Sequence, residues 1–221
     1  MVDVSGLTLA LDASTYVGTV AVLRDGAVVA TGDALMRGEH EERLMPAVLA
    51  ALADARAVPS DVARVVCGEG PGSFTSLRIA AAIAKGIAHG AGVPLFAMSS
   101  LALVVAGAEP PLAAGEYIAT LDAMRGERYA QRVTRDASGR VTLHGPPVRA
   151  TPAELATSGM TVVGPLEEMP RLPHARGLAA LCDTVFATPV DLDAWEPSYG
   201  RLAEAQVRWE AAHGRPLGGA S

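Results

Sequence analysis

The sequence predicts an α/β protein of two unequal lobes, and three observations carry that expectation. Half of the 221 residues are hydrophobic, enough to bury a substantial core in one large or two small domains. Aromatic residues make up only 4%, while Ala, Val and Leu are abundant. A core of small and branched aliphatics lets layers approach closely. The third observation is the order of elements: three strands, then alternating helix and strand, and then strands and helices again in shorter form.

Residues 7–11 are an apolar run ending at Asp12, and a polar turn, Ala13-Ser14-Thr15, follows. Residues 18–23 and 27–31 read as a hairpin, because Asp25-Gly26 between them suits the positive φ angles of a tight connection. Residues 41–56 carry Leu44, Val48 and Leu52 at helical spacing, with Met45 and Leu49 beside them. Pro46 belongs in the first turn of that helix, since deeper in it would cost about 3 kcal/mol. Residues 64–67 form a short buried strand. The segment Gly68-Glu69-Gly70-Pro71-Gly72-Ser73 is a glycine-rich turn that opens a helix over 74–90, with Ser73 as its N-cap. A strand over 94–97 and a helix capped by Ser99-Ser100 complete the first lobe.

Pro110-Pro111 marks a boundary. Strands are expected at 116–121, 128–135, 141–144 and 161–164, with a helix start at Thr151-Pro152-Ala153-Glu154 and a short apolar helix over 177–186. A last helix spans 201–212. The expected division is a first lobe over 1–107, a smaller second lobe over 108–200, a terminal helix over 201–213 able to pack back on the first lobe, and a mobile tail over 214–221. This is the layout of the actin-like ATPase and sugar-kinase superfamily, with ribonuclease H-like lobes and an abbreviated second one.

The net charge of −6 and the scattered basic residues offer no electrostatic footprint for a phosphate backbone, which argues against direct, tight tRNA binding by this chain alone. Cys67 and Cys182 lie far apart inside apolar runs and read as buried reduced thiols. The N-terminus has no signal-peptide pattern, and no stretch reaches the roughly 20 apolar residues that span a bilayer. A cytoplasmic protein is expected.

Five segments together resemble the TsaB family, once called YeaZ: LALDASTYVGTVAV at 9–22, RGEHEERLMP at 37–46, GEGPGSFTSLRIAAAIAKGIA at 68–88, LDAMRGERYA at 121–130 and EPSYGRLAEAQVRWE at 196–210. Ser76 stands where the family motif more often has glycine. The resemblance implies a bilobed actin-like fold without a working active site, paired with a TsaD-type catalytic paralogue on which a TsaE-type ATPase docks. That assembly modifies the adenosine beside the anticodon in tRNAs that read codons beginning with A. The resemblance thus implies a non-catalytic subunit without a cofactor, touching tRNA only through the complex and able to form a homodimer when alone. The rival readings are an active ATPase or small-molecule kinase of the same fold and, less favoured, a metallopeptidase.

The residues themselves offer little chemistry. Ser14 and Thr15 could bond a phosphate, but no glycine separates them, and a plain polar turn is the first reading. Gly70, Gly72 and Ser73 open a helix whose N-terminus attracts anions, yet neither a Walker A motif nor a dinucleotide fingerprint follows. Tight packing is the first reading of those glycines and ligand contact the second. Catalytic relatives hold metal through two histidines four residues apart, whereas here His40 is followed at that spacing by Leu44. His89, His144, His174 and His213 are isolated in sequence. There is no Gly-x-Ser-x-Gly elbow. Asp122, Arg125 and Glu127 suggest a salt-bridged turn where relatives place a phosphate loop. The strongest remaining feature is apolar helical surface. Leu44, Met45, Val48, Leu49 and Leu52 on one helix and Leu77, Ala80, Ala81, Ala84 and Ala88 on the next suit ordinary core equally well, and the expectation taken forward is a partner interface.

Overall fold

A computed structural model describes residues 3–36, 42–200 and 213. Its first sheet takes β1 (Leu7–Asp12), β2 (Val17–Arg24), β3 (Ala27–Leu35), β4 (Val62–Gly68) and β5 (Leu95–Met98) in the order β3-β2-β1-β4-β5. The first three strands are antiparallel, and β4 and β5 run parallel to β1. Helices α1 (Leu44–Asp54) and α2 (Phe74–Ala91) supply the crossovers that parallel neighbours require. The hairpin turn carries φ of 52° at Asp25 and 81° at Gly26, as the Asp-Gly pair demands.

Strand β1 is buried along its whole length, so both faces of the sheet are covered. Leu7, Leu9 and Leu11 face one core together with Leu44, Val48 and Leu52 of α1 and Ala80, Ala84 and Ala88 of α2. Ala10, between them, faces a second core. Small residues let α1 lie close on the sheet: a Cβ at Gly32 of β3 would come within 3.3 Å of the Ala47 carbonyl oxygen. Pro46 occupies the first turn of α1, where the missing N–H costs nothing.

The second sheet repeats the arrangement. Strands β6 (Gly115–Asp122), β7 (Arg128–Arg135), β8 (Val141–Ala150), β9 (Thr161–Gly164) and β10 (Met169–Pro170) lie in the order β10-β9-β6-β7-β8. With β6 read as the first strand, this is the same topology, again with an antiparallel hairpin pair and two parallel additions. Between the sheets lie α3 (Ser100–Ala106), a 3-10 turn over Ala175–Ala180 and the single turn α5 (Cys182–Val185). Their side chains, with Phe96 and Met98 from one sheet and Ala119, Leu121 and Val133 from the other, make one shared core. The outer face of the second sheet is thinly covered. Its buried residues are Ile118, Ala130 and Leu155, the last from the five-residue helix α4 (Pro152–Ala156), which opens at the expected start with a Thr151–Glu154 capping box.

Three expectations need correction. Strand β8 continues six residues beyond His144, through Gly145-Pro146-Pro147. It is an edge strand, where proline removes no needed donor, and the extra residues form a bulge whose Gly145 carbonyl accepts from Gln131 Nε2 at 2.6 Å. The helix expected over 177–186 is broken into the 3-10 turn and α5. The segment expected to stay with the second lobe up to residue 200 runs back along the first. The Val190 N–H donates to the Leu95 carbonyl at 2.9 Å, and Val190, Leu192 and Trp195 pack on the first core. The terminal helix expected over 201–212 and the tail lie outside the described residues.

Cys67 and Cys182 are free and buried. Among the described residues no helix is long and apolar enough to cross a membrane.

Helix α1 has one buried and one exposed apolar face, which supports a direct comparison. Leu52 is fully buried and Leu49 is 46% exposed. Leu52→Ala is expected to lower the unfolding free energy by about 2–5 kcal/mol, and Leu49→Ala by less than about 0.5 kcal/mol, as measured by urea denaturation.

Candidate functional site

The carboxyl ends of the parallel strands are where open α/β sheets bind ligands. In the first lobe that edge is organised by Asp12, the last residue of β1, whose side chain is 0% exposed. Its Oδ1 accepts from the Ser14 N–H at 3.0 Å and the Ser14 hydroxyl at 2.7 Å. Its Oδ2 accepts from the Ser100 hydroxyl, at the start of α3. Ser100 Oγ in turn accepts from the Gly70 N–H at 3.1 Å, and the Ser100 N–H donates to the Gly70 carbonyl. One carboxyl group therefore ties together β1, the turn after it, the glycine-rich loop and α3. Burial pushes the Asp12 pKa up, against the lowering effect of the Ser100 and Ser14 hydrogen bonds.

The glycines serve close approach. Gly68 lies opposite Asp12 across the strand pair, and a Cβ there would sit 1.9 Å from Asp12 Oδ2. At Gly72 it would sit 2.2 Å from the Ser14 carbonyl oxygen, and at Gly70, where φ is +90°, 2.4 Å from the Ser198 carbonyl oxygen. The Ser73 N–H donates to the Ser14 carbonyl at 2.8 Å. Loop and turn are thus in contact with each other at the place where a phosphate cradle would need space. Ser73 does start α2, but its hydroxyl makes no capping bond and pairs with Ser76 Oγ at 3.0 Å. The Ser76 side chain, 3% exposed, is accommodated by that pair. Ser14 faces inward, and the Thr15 hydroxyl closes a local turn on Val17.

The second lobe has the same construction with different chemistry. Thr120 of β6 lies at the position of Asp12, and Gly164, at the end of β9, at that of Gly68. A Cβ at Gly164 would approach Thr120 Oγ1 to 2.2 Å. Here the hydroxyl donates to Glu167 at 2.8 Å, and Arg128 Nε donates to the same oxygen at 2.9 Å, with both charged side chains 13% exposed. The neighbouring Asp122-to-Glu127 turn holds three successive positive φ angles at Met124, Arg125 and Gly126, and Asp122 accepts from the Met124 N–H. Glu127 faces Arg149 of β8 at 3.5 Å, an ion pair that reaches outside the turn.

Sequence order hid several partnerships. His174 is buried against the first sheet, its Nδ1 accepting from the Arg176 N–H and its Nε2 lying 3.5 Å from Asp33. Burial lowers its pKa, opposed by the nearby carboxylates of Asp33 and Asp12. His40 lies outside the described residues. Among the described residues no group of three or more His, Cys, Asp or Glu is placed to hold a metal ion.

The expected partner interface requires a larger correction. Leu44, Val48, Leu52, Leu77, Ala80, Ala84 and Ala88 are all at most 1% exposed, and Ala81 is buried too. They cover the protein's own sheet, which an apolar stripe does more cheaply than it waits for a partner. Of the ten, Leu49 is exposed and Met45 half-buried.

Two outcomes check this account of the site. Gly68→Ala is expected to cost about 1–3 kcal/mol through overpacking against Asp12, while Gly86→Ala, where a Cβ meets nothing within 4 Å, is expected to stabilise α2 by up to about 1 kcal/mol. Chemical denaturation of both variants measures the contrast. The raised Asp12 pKa also fixes a sign. Above about pH 4 the unfolded chain ionises this group before the folded protein does, so its contribution to stability falls as pH rises. Asp12→Asn is therefore expected to gain stability relative to the parent between pH 4 and pH 8, and parallel pH curves would contradict the assignment.

Comparison with known proteins gives a consistent result. The family model described as "TsaD: tRNA N6-adenosine threonylcarbamoyltransferase" matches residues 34–156. The chain is 37% identical over 131 residues to the tRNA threonylcarbamoyladenosine biosynthesis protein TsaB of Escherichia coli, covering 59% of this chain and 56% of that one. It is 38% identical over 98 residues to TsaB of Bacillus subtilis, covering 44% and 43%. The matched stretches thus span about half the length of these curated relatives. The solved structure of YeaZ from Pseudomonas aeruginosa superposes with a TM-score of 0.71 at 28% identity, over 88% of this chain and 99% of that one. With half the chain under the family model and an actin-like pair of lobes in common with YeaZ, the chain belongs to the TsaD-type family, in its TsaB (YeaZ) branch.

Proposed function

We propose that the chain acts in tRNA threonylcarbamoyladenosine biosynthesis as a non-catalytic subunit, bound to a TsaD-type catalytic paralogue on which a TsaE-type ATPase docks. The names of its TsaB relatives supply the pathway, and the match to a TsaD family model supplies the idea of two like-folded subunits meeting face to face. The observation that carries the non-catalytic reading is the state of Asp12. It is the residue best placed by the fold to do chemistry at the cleft, and it is buried, favoured toward its neutral form and hydrogen-bonded on both oxygens to structural partners.

The docking surface in this proposal is narrower than the sequence suggested. It comprises the outward faces of α1 and α2, with Met45 and Leu49 on one and Ala82 and Ile83 on the other. Leu49 and Ala82 are exposed, whereas Met45 and Ile83 also pack partly on the core beneath. tRNA contact is assigned to the assembled complex, in keeping with the net charge of −6.

The test is co-expression with the TsaD-type subunit and reconstituted tRNA modification with and without this chain. Modification is expected to require both subunits. Leu49→Glu is expected to abolish co-elution while the thermal midpoint stays within a few degrees of the parent. Turnover of ATP by the purified chain alone would favour the ATPase or kinase reading instead.

A further inference from the structure

The segment 197–200 lies across the carboxyl ends of the strands in both lobes. On the first lobe, the Ser198 N–H donates to the Glu69 carbonyl at 2.7 Å, just beyond β4. The Ser198 carbonyl packs against Gly70 so closely that only glycine fits there. The Tyr199 ring stacks on Phe74 of α2 at 4.6 Å between centroids, tilted by 52°. The Arg78 guanidinium lies over both rings, 4.4 Å from Phe74 and 5.6 Å from Tyr199, and its Nε donates to the Tyr199 hydroxyl at 3.3 Å.

On the second lobe, the Tyr129 hydroxyl at the start of β7 donates to the Tyr199 carbonyl at 3.4 Å. Gly200 then lies flat on the Tyr129 ring, where a Cβ would come within 2.6 Å and φ is +67°. Tyr129 is itself 5% exposed and fixed in the shared core. Two consecutive residues thus grip one lobe with an aromatic ring and the other with backbone.

We propose that residues 197–200 are a latch that sets the opening between the two lobes and holds the cleft shut. The sheets share a core through α3 and the 175–185 region. The latch lies at the other side, over the carboxyl ends of the central strands, where relative rotation of lobes would open a gap. Stacking of Tyr199, Phe74 and Arg78 is the kind of contact that holds a segment in one place without burying a charge. The latch is independent of which partner the protein meets and does not rest on the proposed tRNA role.

The experiment is a distance measurement between spin labels on the full chain, at Ala53→Cys on α1 and Ser158→Cys beyond α4. Both positions are exposed, and the native cysteines are buried. The parent is expected to give one narrow distance distribution. Tyr199→Ala is expected to widen it or add a longer distance, with circular dichroism unchanged. A drop in thermal stability with the same distances would overturn the proposal. If Tyr199→Ala does not fold, Tyr129→Phe decides. It removes only the hydroxyl that holds the latch to the second lobe, and an unaltered distribution there overturns the proposal as well.

Discussion

The fold depends at one point on a single buried carboxyl group. Asp12 ends the central strand of the first sheet, and its two oxygens accept from Ser14 on one side and Ser100 on the other. Through Ser100 the glycine-rich loop is held as well. Burying a carboxyl costs several kcal/mol unless it is neutralised or well hydrogen-bonded; here both oxygens are hydrogen-bonded, and burial raises the pKa toward the neutral form. The cost is tolerated because the group fixes the mutual placement of four segments distant in sequence. The same position in the second lobe holds Thr120, and the charge lies farther out in the Arg128–Glu167 pair. The two lobes therefore share a topology and a strand-end glycine but have different polar centres.

This organisation explains why residues that resemble a ligand loop do not form an open one. Ser14, Gly70, Gly72 and Ser73, read separately as weak ligand candidates, come together in contact with one another or with a returning segment. A turn carbonyl fills the space beside Gly72, and a returning segment fills that beside Gly70. What the sequence makes available to chemistry, the packing directs to the protein's own backbone. In the proposed partner role the cleft is a structural seam, and the outward helical faces are the working surface.

Much of the fold was legible in the amino-acid pattern because its signals are local. The Asp25-Gly26 turn, the helical stripe of α1, the glycine-opened α2 and the helix start at Thr151 all fall where spacing and turn chemistry put them. The site was less legible because its bonds are not local. Ser100 reads as a helix start, and only the fold brings it to Asp12, 88 residues away. His174 reads as isolated and meets Asp33. The buried stripes of α1 and α2 read as partner surface because periodicity identifies an apolar face without identifying what covers it. Strand β8 was cut short at Gly145-Pro146-Pro147 because those residues end central strands but not edge strands.

The central claim is that the cleft carboxyl holds structure together and takes no part in chemistry. The most direct measurement is tRNA modification reconstituted with Asp12→Asn in place of the parent chain, at matched amounts of assembled complex. The account predicts a rate within about twofold of the parent, since the amide oxygen still accepts from Ser14, the amide nitrogen donates to Ser100 Oγ in place of the bond the carboxyl accepted from it, and no proton transfer is asked of this group. A variant that folds and assembles normally yet loses the modification by a hundredfold, on the scale of a missing acid or base, would contradict it.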